Sequence, residues 1–159
     1  MEPSVLVKYG SAGYFSAKKE VHNILSKLGD LKSDAELFAP GFLMVKTKFK
    51  GHELVEEARE LFLSDPRLFS STSLWIPVDY WCSAEEIPKI IKEDIAQLIN
   101  VDDEYEIEII GPSDLLDKII PLIKGKPNYN SQKIIRIQVS NNNAAISFLK
   151  PNDVFKIGE

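Results

Sequence analysis

The stretch KIIRIQVSNNNAAISFL, residues 133–149, decides how the second half of the chain folds. Lys133 to Val139 alternates, with Ile135, Ile137 and Val139 on one face and Arg136 on the other. A period of two marks a strand with one buried face. Asn141-Asn142-Asn143 reads as a turn, since asparagine tolerates the backbone that tight turns demand. Ala145 to Leu149 returns as the next strand. Together they predict a hairpin that carries Ile135, Ile137 and Val139 inward and points Arg136 to solvent.

Upstream, Ser113 to Ile123 predicts a short helix that Pro121 kinks or ends. Tyr105 to Ile110 predicts a strand. Ser83 with Glu86 three residues on is a capping-box pattern. It opens a helix whose apolar stripe is Ile87, Ile90, Ile91, Ile95, Leu98 and Ile99, with Pro88 suited to its first turn. Leu74 to Trp81 reads as one strand. The small polar run Ser70-Ser71-Thr72-Ser73 is the expected domain boundary, giving domains 1–72 and 73–159.

In the first domain, strand Ser4 to Lys8 leads through Gly10-Ser11-Ala12-Gly13 to a helix, Ser16 to Leu28, stopped by Gly29. Strand Ala35 to Phe38 and the turn Pro40-Gly41 follow. Phe42 to Phe49 alternates: Leu43, Val45, Thr47 and Phe49 against Met44, Lys46, Lys48 and Lys50. A helix from Glu53 to Leu63 completes strand-helix-strand-strand-helix, most of a ferredoxin-like unit. The expected class is α/β (α+β) with two small sheets.

Composition narrows the function. No apolar run approaches the roughly 20 residues that span a bilayer. The start MEPSVLVKYG lacks the pattern of a signal peptide, so a cytoplasmic location is expected. One cysteine, Cys82, and two histidines, His22 and His52, leave little for a disulfide or a zinc site, and neither a metal nor a cofactor is expected. Cys82 precedes a helix, where a thiol can be activated, but a buried structural cysteine is the commoner case. Asp102-Asp103-Glu104 lacks the ligand spacing of a calcium loop. The Gly10–Gly13 loop lacks the lysine of a phosphate-binding loop. No catalytic constellation emerges.

Net charge is −5 with a pI near 5.2, which taken alone argues against nucleic acid. The charge is unevenly spread, however. Residues 83–117 hold eleven acids and two basics, whereas residues 118–150 hold six basics and no acid. Lys124, Lys126, Lys133 and Arg136 lie in that second window, with Tyr129 among them. Such a set can contact phosphates and stack on an unpaired base. Lys46, Lys48 and Lys50 form a second candidate patch, because two-residue spacing puts them on one strand face. Lysines of that kind also protect sheet edges, and the loop around Lys124 can be read as merely solvated.

The segments IKGKPNYN and KIIRIQVSNNNAAISFLKPNDVFKI resemble the THUMP domain, a module of tRNA-modifying enzymes and their adaptors. WIPVDYWCSAEEIPKIIKEDIAQLI is similar to the strand and first helix of that module. LGDLKSDAELFAPGFLMVKTKFKGHELVEEARELFLSDPRLF is similar to the ferredoxin-like extension that precedes it. The resemblance implies an N-terminal ferredoxin-like sandwich followed by a THUMP α/β domain. It implies a non-enzymatic, tRNA-binding adaptor whose partner is a separate tRNA-modifying enzyme, such as a cytidine acetyltransferase. Two other readings stay open: a protein-interaction scaffold without RNA, and a small tRNA-modification enzyme using Cys82.

Overall fold

The computed structural model describes residues 2–158. The chain forms two compact units, Met1–Val78 with Asp153–Glu159, and Asp79–Asn152. The class is mixed α/β with one five-stranded sheet in each unit. No helix among the described residues is long and apolar enough to cross a membrane.

Unit one runs β1 (Val5–Tyr9), α1 (Tyr14–Lys27), β2 (Asp34–Ala39), β3 (Phe42–Lys46), α2 (Gly51–Ser64) and β4 (Thr72–Pro77). The order β4-β1-β3-β2, antiparallel throughout, completes the ferredoxin-like pattern. Val5, Val7, Leu43, Val45 and Trp75 from the sheet pack with Val21, Ile24, Leu25, Leu54 and Val55 from the helices. A last strand, β10 (Phe155–Lys156), returns from the C-terminus and pairs with β4. Its Phe155 stacks edge-on against Phe62 and Phe69.

The boundary therefore differs from the one expected at residues 72/73. Ser70–Ser73 is no linker, because the buried Glu20 of α1 holds it down. That carboxylate accepts the N–H groups of Ser71 and Thr72, both at 2.8 Å, and the hydroxyl of Ser70 at 3.3 Å. The expected strand Leu74–Trp81 is two strands: β4 ends at Pro77, and β5 (Tyr80–Ser83) belongs to the second sheet.

Unit two follows β5 with a helical run of changing pitch: a 3₁₀ turn at Ala84–Glu86, α3 (Ile87–Ile90), a π-helical turn at Ile91–Ile95, and 3₁₀ again at Ala96–Leu98. The predicted capping box is present, Ser83 donating its N–H and hydroxyl to Glu86 Oε1. Ile87, Ile91, Ile95 and Ile99 are buried, whereas Leu98 of the expected stripe is exposed. Then come β6 (Glu104–Ile110), α4 (Leu115–Ile119) with a 3₁₀ turn at Pro121, β7 (Lys126–Pro127), β8 (Ile134–Ser140) and β9 (Asn143–Leu149). The sheet order is β5-β9-β8-β6-β7, with β6 parallel to both β7 and β8. The predicted hairpin is β8–β9, turned through Asn141 at φ +55°.

The end of α1 ties unit one together. Gly29, at φ +93°, lets the chain leave the helix in the left-handed conformation. Asp30 N–H then donates to the Leu25 carbonyl at 2.8 Å and Gly29 N–H to that of Ser26, a Schellman closure. This turn buries the Asp30 carboxylate, which accepts the Thr47 hydroxyl and the N–H groups of Lys48 and Lys32 at 3.0 and 3.1 Å. Burial pushes the Asp30 pKa up, but the hydrogen bonds together hold it below the ordinary 3.8. Asp30→Ala leaves buried donors unmatched and is expected to cost about 1–3 kcal/mol in urea unfolding near neutral pH. A carboxylate with a depressed folded pKa stabilises fully above its unfolded value and loses that contribution as pH falls through the folded one. The gap between wild type and variant should accordingly narrow as pH falls below 3.8. A gap independent of pH would assign the effect to packing.

Candidate nucleic-acid interface

Parallel pairing decides which cations in unit two are available. β6 carries Glu104, Glu106 and Glu108, and it lies between β7 and β8. Its register sets Glu104 beside Lys126 and Glu108 beside Arg136. The acid-rich and basic windows, separate in sequence, are thus interleaved in space.

Arg136 does not reach solvent. It is 5% exposed, donates to Gln138 Oε1 at 2.8 Å, and has Glu108 at 4.0 Å from its Nε. Burial lowers its pKa from the ordinary value, and Glu108 opposes that shift. The alternation with Ile135 and Ile137 is real, but β8 is an interior strand and both its faces are buried. Lys133 is tied down as well: its Nζ donates to Asp103 Oδ2 at 2.7 Å and to the Leu98 carbonyl at 2.8 Å. No carboxylate competes for it in the local sequence, yet one thirty residues upstream does.

Lys124, Lys126 and Tyr129 come together on one exposed segment around β7, at the edge of the sheet. Tyr129 is 84% exposed. Among the described residues neither Lys124 nor Lys126 forms an ion pair or side-chain hydrogen bond. The segment is anchored by its backbone and its amides. Lys126 N–H donates to the Asp103 carbonyl at 2.9 Å, Asn128 N–H to that of Tyr105 at 2.7 Å, and the Asn128 amide to Glu104 at 3.0 Å. Asn130, at φ +63°, gives its N–H to Glu106. An apolar cleft of about 270 Å³ runs beneath, walled by Ile107, Leu116, Ile120, Pro127 and Tyr129.

The other three lysines lie in unit one and do not share a strand face. β3 stops at Lys46, which faces Asp34 across the ladder. Lys48 sits beyond the strand, its Nζ on the Gly29 carbonyl at 3.1 Å and over the Phe49 ring. Lys50 caps the start of α2. Nor is edge protection their role, since β3 lies between β1 and β2.

Lys92 is a cation that sequence reading passed over. It is exposed on the π-helical turn and, with Lys124, lines a concavity of about 510 Å³. The two are 32 residues apart, and Lys92 stands in the acid-rich window, so no local signal singles it out. Cys82 is 8% exposed and packs in the apolar cluster with Ile87, Ile91 and Ala144.

No family model and no curated protein matches the sequence. Solved structures do share the fold. PH1313 from Pyrococcus horikoshii aligns at TM-score 0.61 with 14% identity, over 93% of this chain and 55% of its own length. A 4-thiouridine synthetase, solved as an RNA complex with bound ATP, aligns at 0.57 with 9% identity, over 94% of this chain and 42% of its own. The likeness is one of fold, and it supports a THUMP-like architecture. The chain spans about half the length of these two structures.

Gly125 is required by packing rather than by a left-handed turn. A Cβ there would stand 2.6 Å from the Asp103 carbonyl oxygen and 2.9 Å from Ile99. Gly125→Ala must push the β7 segment off β6, so we expect a loss of about 1–3 kcal/mol in chemical unfolding. Wild-type stability in that variant would mean the segment is free to move away.

Proposed function

We propose that this chain binds tRNA through the β7 segment of unit two and acts as a non-catalytic adaptor, presenting the tRNA to a separate modifying enzyme. Cytidine acetylation is the modification we assign, on the strength of the sequence resemblance. One observation carries the binding site: Lys124 and Lys126 keep exposed, unpaired ammonium groups beside the exposed ring of Tyr129, while Lys133 and Arg136 are matched or buried. Ammonium groups of this kind neutralise phosphates, and the ring offers a stacking surface for an unpaired base. The fold likeness to a synthetase solved with RNA supports the choice of ligand. Burial of Cys82 in the apolar cluster supports the non-catalytic half of the reading, because a nucleophile must meet its substrate.

Affinity for bulk tRNA should fall linearly on a log–log plot against salt. Lys124→Ala/Lys126→Ala should flatten that slope by roughly 0.7–0.9 for each lysine removed, about equally for different tRNAs. A folded double variant with wild-type slope and affinity removes the site from this loop and favours a scaffold without RNA. For the adaptor half, tRNA incubated with the protein and acetyl-coenzyme A alone should keep its mass. A new nucleoside formed by the protein alone overturns it.

A further inference from the structure

The concavity beside Lys124 is built from two distant parts of unit two. Lys92 enters from the π-helical turn, Lys124 from the segment after Ile123, and Val101 and Leu122 supply an apolar lining, with Gln97 and Asn100 offering amides. Both lysines are exposed, and among the described residues neither has a carboxylate partner. Glu93 and Asp94 follow Lys92 directly, but residues one and two apart on a helix do not face each other. Lys89, three residues back, shares the face of Lys92 and adds positive charge.

One acid lies close enough to matter. Asp103 closes the turn that starts at Asn100, accepting the Asn100 N–H at 2.7 Å. Its charge is already matched by Lys133 at 2.7 Å. The hydrogen bond from Lys133, then that from Asn100, hold its carboxyl below the ordinary range, so it stays an anion satisfied from within. Two unmatched ammonium groups over an apolar lining with amides at hand suit a phosphate joined to a sugar.

We propose that Lys92 and Lys124 hold one phosphate of the bound RNA in this concavity. Lys133 acts as a positioning residue that neutralises Asp103. The assignment rests on the tRNA-binding reading and adds a phosphate site which that reading does not contain.

The test uses the full chain with bulk tRNA across a salt series. Lys92→Ala should flatten the log–log slope by roughly 0.7–0.9, which makes affinity about threefold less salt-sensitive between roughly 50 and 200 mM. Lys92→Arg should keep most of the binding. Lys92→Ala/Lys124→Ala should lose less than the product of the single losses, because both act on one phosphate. Repeating the series on tRNA stripped of its 5′-phosphate identifies the source. A Lys92 effect that persists marks an internal phosphodiester, and one that vanishes marks the terminal phosphate. Lys133→Ala should weaken binding, and adding Asp103→Asn should restore it. A double variant as weak as the single means that Lys133 touches RNA itself and sinks its positioning role. If Lys92→Ala binds as wild type while Lys124→Ala/Lys126→Ala is impaired, the shared phosphate is excluded and the tRNA reading stands. If both bind as wild type, the two fall together.

Discussion

The placement of β6 between β7 and β8 governs the charge chemistry of unit two. A strand bearing Glu104, Glu106 and Glu108 is inserted, parallel, among the residues that carry the basic window. Each side chain of that window is then sorted by its distance from a carboxylate and by its access to water. Arg136 is taken by burial and by Glu108, Lys133 by Asp103 at the near end of β6, and the two asparagines by Glu104 and Glu106. What remains free around β7 is the side-chain charge of Lys124 and Lys126. The same carboxylates that consume cations also fix the loop, so the acidic strand immobilises the segment that presents the charge. A preorganised loop gives up less entropy on binding than a mobile one.

Unit one is closed by the two ends of the described chain rather than by its first half. β4 needs a partner on its outer side, and β10 supplies it 78 residues after β4 ends. The aromatic group Phe62, Phe69, Phe155 and Trp75 sits around that junction. Unit two is accordingly an insertion between adjacent strands of one sheet. Cutting the chain near Ser71 to isolate the second unit would separate β10 from the sheet it completes. Substitutions within the whole chain are therefore the sound way to divide the contributions of the two units.

Local patterns in the sequence read well wherever the local interaction decided the outcome. The capping box at Ser83 and Glu86, the stop at Gly29 and the β8–β9 hairpin all depend on residues within a few positions of one another, and all are present. What misled was long-range. A polar run at residues 70–73 looks like a linker until Glu20, fifty residues earlier, takes its N–H groups. Alternation says which residues share a face, but a period of two contains nothing about whether that face meets water. Arg136 therefore read as exposed. The three lysines of residues 46–50 read as one face because the alternation of Thr47 and Phe49 runs past the true end of β3 at Lys46. Lys92 left no trace at all, since its relation to Lys124 exists only after the sheet forms.

An acidic chain can bind a polyanion if its free charges of opposite sign are kept apart. At physiological salt the field of an exposed charge is largely screened beyond roughly 8–10 Å. The net value of −5 is consequently a weak guide to what a phosphate meets at one place on the surface. Local compensation matters more, and it is uneven here. Along β6 acids outnumber accessible cations, and phosphates are repelled from that strand. At the β7 edge and at Lys92 the cations are unmatched. Binding confined to a small basic area within an acidic surface has a definite physical consequence. The number of counterions released is small, so affinity depends gently on salt. The surrounding carboxylates meanwhile disfavour any pose that slides the backbone off the site. Overall negative charge then acts against unspecific adhesion and favours a single register, which suits a protein whose task is to hold one RNA in position.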